Sequence, residues 1–179
     1  HLDRYENSME LYCQAKQRIY HNAQFMIWNR DDQVTFPRHF NAHENLISFG
    51  FSRPKLGEFG MIFENGNSFL AFGDQELLST QELHIQGRHN VANAMAALAV
   101  GHAMGIPMSA MLSALQTFKG LAHRCQIIGL WNQVQWINDS KATNVTACLA
   151  AISGLAQEIS GKLILLLGGQ DKGDDFTLL

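Results

Sequence analysis

The first stretch with a regular hydrophobic pattern, residues 5–20, has the periodicity of an amphipathic helix. When each residue advances by about 100°, one narrow apolar stripe collects Tyr5, Met9, Tyr12 and Ile19. Lys16 lies in the middle of that stripe. Two interpretations are open: the lysine stem covers apolar surface while its ammonium reaches water, or partial desolvation favours a neutral, nucleophilic amine.

Short β-rich runs follow this helix. Residues 24–28 have the composition of a buried strand. A small antiparallel meander is predicted from three further runs, at residues 46–50, 59–63 and 68–72. Asn65-Gly66, between the last two runs, is a hairpin signal. The aromatic side chains of the meander are expected to pack within the protein, because no basic residues alternate with them as they do on nucleic-acid stacking surfaces.

Helical periodicity returns at Gly87-Arg88-His89-Asn90 and continues to about Gly105. The face expected to be buried holds Val91, Ala94, Met95, Leu98 and His102. A second helix over residues 109–118 is expected to bury Ala110, Leu112, Leu115 and Phe118. The polar, glycine-containing stretch that follows separates these helices from new strands. We therefore predict a domain boundary between Phe118 and Cys125, with domains at residues 1–119 and 120–179.

The last third of the chain has the pattern of a strand, helix and strand. Residues 125–130 and 134–137 are predicted strands. Residues 145–159 form a predicted helix that buries Leu149, Ile152 and Leu155 or their neighbours. The continuous apolar run at residues 163–167 is typical of a central parallel strand covered on both faces. Together these elements predict a right-handed βαβ unit that ends at Gly168-Gly169.

Composition limits the classes of function. The chain has 179 residues, 46% of them hydrophobic and 16% charged, which suffices for a core. A net charge of −3 without a basic run argues against nucleic-acid and anionic-membrane partners. No apolar run approaches the roughly 20 residues of a membrane helix. Three distant cysteines suggest neither disulfides nor zinc, so we expect a cytoplasmic protein.

Candidate chemistry follows the strand at residues 134–137. The stretch Asn138-Asp139-Ser140-Lys141-Ala142-Thr143-Asn144 places acid, hydroxyl, base and amide groups where a strand ends and a helix begins. Sites of α/β proteins form at the carboxyl ends of strands. Helix capping alone would explain one polar residue here, but it does not require this combination. We therefore expect a ligand site at this loop.

Five motifs together resemble the Mur ligase family, in the family's order. They are His1-Leu2-Asp3-Arg4-Tyr5, Gly87-Arg88-His89-Asn90, Gly120-Leu121-Ala122-His123-Arg124, Asp139-Ser140-Lys141-Ala142-Thr143-Asn144 and Gly168-Gly169-Gln170-Asp171-Lys172-Gly173-Asp174-Asp175-Phe176. The resemblance implies an α/β fold. An incomplete mononucleotide-binding central domain, containing the β meander, would precede an incomplete Rossmann-like C-terminal domain.

The trio Lys141-Ala142-Thr143 distinguishes the chain from related Mur ligases and folylpolyglutamate synthase, in which other residues occupy these positions. By resemblance, the reaction is ATP-dependent addition of D-glutamate to UDP-N-acetylmuramoyl-L-alanine through an acyl phosphate, a step of peptidoglycan precursor synthesis. The implied ligands are these small molecules, ATP and Mg²⁺. We expect a monomer.

The resemblance also assigns roles to single residues. It implies that His1 and a carbamate on Lys16 are catalytic and hold Mg²⁺, whose charge assists phosphoryl transfer and which prefers oxygen ligands. Contacts to ATP are implied for Asn90, Asn93, Arg124 and Asp139. Contacts to D-glutamate are implied for Thr143, Lys172 and the nearby Lys141, because ammonium and hydroxyl groups suit a carboxylate.

One family motif is missing, and other interpretations stay open. No G-x-x-x-x-G-K-[ST] phosphate-binding loop occurs in the sequence, and we expect a fragment that is inactive alone. Besides another Mur-type or folylpolyglutamate ligase, the chain could be a non-catalytic nucleotide-binding module, although no G-x-G-x-x-G follows either strand. A third possibility is a purely structural interaction domain.

Overall fold

A computed structural model describes residues 2–39, 45–85, 87–156, 159–169 and 175–179. The chain has an α/β fold and forms two compact units. Unit 1 contains the residues up to Glu82 together with Ala92–Ala114, and unit 2 contains Leu83–Val91 together with the residues from Leu115 onward. None of the helices in these described ranges is long and apolar enough to cross a membrane.

Four α-helices and seven strands make up the described structure. The helices are α1 (Met9–Gln17), α2 (Arg88–Ala103), α3 (Met108–Thr117) and α4 (Val145–Ala156). The strands are β1 (Phe25–Asn29), β2 (Asn45–Phe49), β3 (Phe59–Glu64), β4 (Asn67–Phe72), β5 (Gln75–Ser79), β6 (Gln126–Trp131) and β7 (Val134–Asn138). One sheet has the order β1-β2-β3-β4-β5, and the other contains β6 and β7.

The five-stranded sheet of unit 1 is mixed. β3, β4 and β5 form an antiparallel meander, and Asn65 and Gly66 both have positive φ at its first turn, which confirms the predicted hairpin. β2 is parallel to both β1 and β3, so the prediction of an antiparallel strand at residues 46–50 is wrong. Hydrophobic pattern does not encode strand direction, and residues 50–58 are long enough to return the chain to the start of a parallel neighbour.

The core of unit 1 lies between this sheet and the later turns of α2. Phe59, Leu70 and Met95 are completely buried. The predicted inner face of α2 is confirmed at Ala94, Met95 and Leu98, whereas His102 is exposed at the edge, with its ring centroid 4.8 Å from that of Phe72. The interior therefore excludes the one polar residue that the periodicity placed on this face.

The helix predicted for residues 5–20 is shorter, and its buried face differs from the prediction. Glu6 and Asn7 have positive φ and separate a short 3-10 turn from α1. The buried side chain of α1 is Cys13, whereas Met9 and Ile19 are exposed. The predicted stripe was wrong because two of its members, at positions 5 and 19, lie outside the regular α-helix, where the 100° spacing does not apply.

The predicted inner face of α3 was also partly wrong. Met111 and Leu115 are buried, whereas Ala110 and Phe118 are exposed and Leu112 is half-buried. In unit 1, a methyl group added at Gly101 of α2 would clash with the sulfur of Met111. The absence of a side chain at Gly101 therefore gives Met111 its place in the core.

Unit 2 contains the β6–β7 hairpin and α4. Val145 and Cys148 are the buried side chains of α4, and the predicted set Leu149, Ile152 and Leu155 is half-buried. Residues 163–167 do not form the predicted parallel strand, and their side chains are exposed. A central strand needs hydrogen-bonded neighbours on both edges, and within the described ranges β6 and β7 pair only with each other.

Candidate functional site

The loop between β7 and α4 contains the strongest motif, and one of its residues has a structural role. The side-chain oxygen of Asn144 accepts a hydrogen bond from the backbone N–H of Ala147 at 2.8 Å. Asn144 is therefore the N-cap of α4, which satisfies one of the free N–H groups of the first turn. Capping leaves Asp139, Lys141 and Thr143 available for another function.

Asp139 is half-buried. The linker that leads into β6, residues 121–126, orients its carboxylate. Its Oδ1 accepts a hydrogen bond from the backbone N–H of Cys125 at 3.0 Å. Burial raises the pKa of the Cys125 thiol, and the negative charge and hydrogen bonding of Asp139 raise it further. The neutral thiol is thus favoured, which argues against a nucleophilic role for Cys125.

Two further contacts join the linker to the loop after β7. The backbone N–H of Lys141 donates to the carbonyl oxygen of His123 at 3.1 Å, and Asn138 Nδ2 lies 3.1 Å from His123 Nδ1. His123 and Cys125 both have positive φ, at 65° and 43°. Such values are uncommon outside glycine and cost energy, so these contacts maintain an unusual backbone path.

The remaining side chains predicted to bind ligands on these two loops are exposed. They belong to Arg124, Lys141 and Thr143. The backbone of Arg124 is fixed by a hydrogen bond from its N–H to the Leu121 carbonyl at 3.2 Å. The structure thus brings Arg124 and Asp139 onto two hydrogen-bonded loops, with a guanidinium, an ammonium and a hydroxyl open to a ligand.

The other predicted ATP contacts lie near the beginning of α2. Asn90 is half-buried and Asn93 is exposed, and a spacing of three residues places both on one side of a helix. Next to them, His89 Nε2 is 4.0 Å from the Cys125 sulfur. His89 Nδ1 is buried without a hydrogen-bond partner among the described residues.

Lys16 does not have the desolvated environment that one interpretation required. Its side chain is exposed, and its Nζ lies 5.4 Å from the centroid of the Tyr12 ring, a cation–π distance. His1 and Lys172 lie outside the described residues. The described ranges contain no group of three His, Cys, Asp or Glu side chains that could hold a metal ion.

Two further residues orient this region: Gln126, which sequence reasoning missed, and Asn138, which it included in the polar stretch without a role. Gln126 Oε1 accepts the backbone N–H of His123 at 3.0 Å, and Asn138 contacts the His123 ring. Both residues adjoin recognised motifs, which is a weak signal. Gln126 contacts a residue three positions away, whereas Asn138 contacts a residue 15 positions away, which a linear pattern does not reveal.

Two family models match the chain. Residues 1–101 match the family model of the Mur ligase middle domain, and residues 123–179 match that of the Mur ligase glutamate ligase domain. The chain belongs to the Mur ligase family. The segment between the two matches, residues 102–122, overlaps the range Phe118–Cys125 in which the domain boundary is predicted. The position of that boundary stays a prediction.

Curated relatives of this Mur ligase chain are similar along nearly its whole length. It is 49% identical over 176 residues to a Pseudomonas aeruginosa protein and 48% identical over 178 residues to a Pseudomonas fluorescens protein, each named UDP-N-acetylmuramoylalanine–D-glutamate ligase. Each alignment covers 98% of this chain and 39% of the relative. The chain therefore spans about two fifths of their length.

Solved structures support the fold of this Mur ligase chain. MurF from Acinetobacter baumannii aligns with a TM-score of 0.64 at 23% identity, covering 84% of this chain and 34% of that protein. MurC from Thermotoga maritima aligns with a TM-score of 0.62 at 23% identity, covering 88% of this chain and 35% of that protein. At this identity the likeness establishes the α/β fold alone.

Proposed function

We propose that the full-length protein containing this chain is an ATP-dependent ligase that adds D-glutamate to UDP-N-acetylmuramoyl-L-alanine. The observation that carries the proposal is the 48–49% identity, over 98% of the chain, to ligases with that name. The structure supports it with an oriented Asp139 and an exposed Arg124 on adjacent loops. The motif Lys141-Ala142-Thr143 favours D-glutamate over other amino acids.

The proposed reaction has two steps. The γ-phosphoryl group of ATP is transferred to the carboxylate of UDP-N-acetylmuramoyl-L-alanine, which gives an acyl phosphate and ADP. The amino group of D-glutamate then attacks the acyl carbon, phosphate leaves, and the nitrogen loses a proton as the amide bond forms. Both steps depend on alignment of the reacting groups and on stabilisation of phosphate charge.

The described side chains have chemistry that suits ATP. Asp139 uses one carboxylate oxygen for the Cys125 N–H, and its other oxygen is the group we assign to the ribose hydroxyls. The guanidinium of Arg124 suits phosphate or the purine face. The amides of Asn90 and Asn93 suit hydrogen bonds at the base. Arg124 and Asp139 flank the linker, so ATP binding would depend on its conformation.

The amino-acid site is proposed at Thr143, Lys141 and Lys172, with the two lysines and the hydroxyl binding the carboxylates of D-glutamate. The Lys172→Ala substitution in the full-length protein is expected to weaken D-glutamate binding by about 1.5–3 kcal/mol, with a much smaller effect on ATP. The exposed Lys162 provides a matched control. Equal losses for D-glutamate and ATP would show that Lys172 is assigned wrongly.

The proposal as a whole is tested by incubating the full-length protein with ATP, UDP-N-acetylmuramoyl-L-alanine and one amino acid at a time. Phosphate release and formation of the amide product are expected with D-glutamate. A preference for another amino acid or another acceptor would indicate a different Mur-type ligase or a folylpolyglutamate ligase. Binding of ATP without any product would indicate a non-catalytic nucleotide-binding protein. We also expect the full-length enzyme to be monomeric and cytoplasmic.

Lys16 requires a separate test, because its exposed position fits a solvated lysine. If a carbamate on Lys16, together with His1, binds Mg²⁺ in the full-length enzyme, Lys16→Ala should abolish turnover. An added short carboxylic acid should then restore part of the activity by replacing the carbamate oxygens. Normal turnover of the variant, or a folded, ATP-binding variant that no small acid restores, would contradict the carbamate.

A further inference from the structure

Hydrogen bonds within unit 2 hold the linker at residues 121–126 and join it to the loop at residues 138–142. The backbone N–H of His123 donates to Gln126 Oε1 at 3.0 Å, and its carbonyl accepts from the N–H of Lys141 at 3.1 Å. The imidazole of His123 meets the Asn138 amide at 3.1 Å. His123 is therefore held through its backbone N–H, its carbonyl oxygen and its ring.

The orientation of the Asn138 amide follows from its second contact. Asn138 Oδ1 accepts the backbone N–H of Ser140 at 3.0 Å, so the nitrogen Nδ2 faces the ring and donates to His123 Nδ1. Nδ1 then acts as the acceptor, and the ring proton of a neutral His123 lies on Nε2. The same amide thus shapes the turn after β7 and holds the linker histidine.

Gln126 and Asn138 are also partners in the sheet. They occupy directly opposite positions in the β6–β7 register, and a cross-strand pair of this kind has a fixed separation. From this pair, Gln126 contacts the backbone of His123 and Asn138 contacts its ring. The hairpin therefore places both side chains beside the linker.

Arg124 and Asp139 lie directly beside these contacts. Arg124 follows His123 in the chain, and Asp139 follows Asn138 and accepts the N–H of Cys125. The positive φ of His123 and Cys125 means that the linker would relax to another path without these bonds. The distance between the Arg124 and Asp139 side chains thus depends on Gln126 and Asn138.

We infer that Gln126 and Asn138 are positioning residues for nucleotide binding, which hold the His123 linker so that Arg124 and Asp139 reach ATP together. We name His123, Gln126, Asn138 and the Lys141 N–H the linker clamp. The inference rests on the proposed function, because it assigns the nucleotide to Arg124 and Asp139. Neither positioning residue needs to touch the nucleotide.

The test uses the full-length protein and its dissociation constant for ATP. Gln126→Ala and Asn138→Ala should each raise that constant about tenfold, which corresponds to about 1.4 kcal/mol. Gln126→Glu keeps an acceptor for the His123 N–H and should stay within about twofold of wild type. The control is Gln135→Ala, since Gln135 is exposed on β7 and its side chain has no hydrogen-bond partner within the described residues.

Hydrogen exchange of the His123 and Lys141 amides provides a readout that does not depend on ATP. Both amides should exchange faster in Gln126→Ala and Asn138→Ala and at the wild-type rate in Gln126→Glu and Gln135→Ala. If Asn138→Ala fails to fold, the comparison of Gln126→Ala with Gln126→Glu still tests the linker clamp.

Unchanged exchange would refute the linker clamp, and faster exchange with unchanged ATP affinity would refute its role in nucleotide binding. Equal loss of affinity in Gln126→Ala and Gln126→Glu would also overturn the inference, because the acceptor would then be irrelevant. A wild-type protein that neither binds ATP nor forms product would instead refute the proposed function. The exchange rates would still show in that case whether the linker clamp exists.

Discussion

The two compact units differ in where their apolar side chains lie. In unit 1, the neighbouring strands β3 and β4 contribute Phe59 and Leu70, which are completely buried. In unit 2, the β6–β7 hairpin leaves Leu130 69% and Trp131 55% exposed. The apolar content of the two strand pairs is similar, with 7 of 11 residues apolar in β6 and β7 and 8 of 12 in β3 and β4, so the difference lies in what covers the strands.

The architecture of each unit explains this difference. Unit 1 has five strands and the later turns of α2, which is enough to bury one face of a sheet. A two-stranded sheet is marginal alone because it has too few neighbours to exclude water. In unit 2, backbone N–H groups that donate to side-chain oxygens hold the linker and the loop after β7. The proposed ligand groups lie on that hydrogen-bonded frame.

The largest expected effect tests the core of unit 1. Phe59→Ala should lower the free energy of unfolding by about 3–5 kcal/mol, because it removes a buried ring and leaves a cavity. Phe63, on the same strand, is 66% exposed, and Phe63→Ala should cost less than about 1 kcal/mol. Urea unfolding of both variants measures the difference. Similar losses at the two positions would show that burial does not distinguish them.

The second effect concerns the polar anchor of the same sheet. The guanidinium of Arg30 donates to Ser48 Oγ and to the Phe59 carbonyl, each at 2.9 Å, and lies 3.5 Å from a Glu58 oxygen. Arg30→Ala leaves the buried Ser48 hydroxyl without this donor and should cost about 2–3 kcal/mol. Arg53 is exposed, and Arg53→Ala should leave the urea midpoint unchanged. A negligible change in the free energy of unfolding for Arg30→Ala would show that Arg30 does not stabilise the sheet.

The regions that the sequence predicted well are those where the signal is local. The Asn65-Gly66 turn and the beginning of α2 at Arg88 agree with the structure, because turn residues and helix periodicity act over a few positions. β5 was missed, because Gln75 and Glu76 at its beginning leave only a short apolar run, which is too weak a signal for a strand. The direction of β2 was wrong because pairing is decided by distant segments.

Two misses in the site and the fold have related causes. Residues 163–167 have a strand-like composition, but no described strand pairs with them. Lys16 is exposed. The predicted stripe that placed it among apolar residues includes positions 5 and 19, which lie outside α1. The loop from Asp139 to Asn144 was recognised from its combination of polar groups between a strand and a helix, whereas the hydrogen bonds of Gln126 and Asn138 to His123 leave no linear motif.

The third prediction separates stability from ligand binding within one loop of unit 2. Asn144→Ala removes the N-cap of α4 and should cost about 1 kcal/mol of stability. Thr143, the preceding residue, is exposed, so Thr143→Ala should leave stability unchanged and raise the KM for D-glutamate. Thermal unfolding and steady-state kinetics of the full-length protein measure both quantities. Destabilisation by Thr143→Ala would show that Thr143 has a structural role, contrary to its assignment to ligand binding.

The smallest effect is expected from a surface ion pair of unit 1. Arg38 binds both carboxylate oxygens of Glu10, and Gln14 donates to Oε1 at 3.0 Å. The hydrogen bond from Arg38, followed by that from Gln14, lowers the pKa of Glu10 below its ordinary value of 4.5. Both charged partners are solvent-exposed, so water and salt screen the attraction.

The sign of the pH dependence follows from the direction of this pKa shift. A carboxyl whose pKa is lower in the folded state stabilises the protein above its unfolded pKa, and this contribution is lost as pH falls through the folded pKa. Arg38→Ala should therefore lower the Tm slightly at neutral pH. The difference from wild type should shrink as pH falls below 4.5, and high salt should reduce it at neutral pH. A difference that persists in acid would show that Arg38 stabilises unit 1 through packing of its side chain and not through the charge of Glu10.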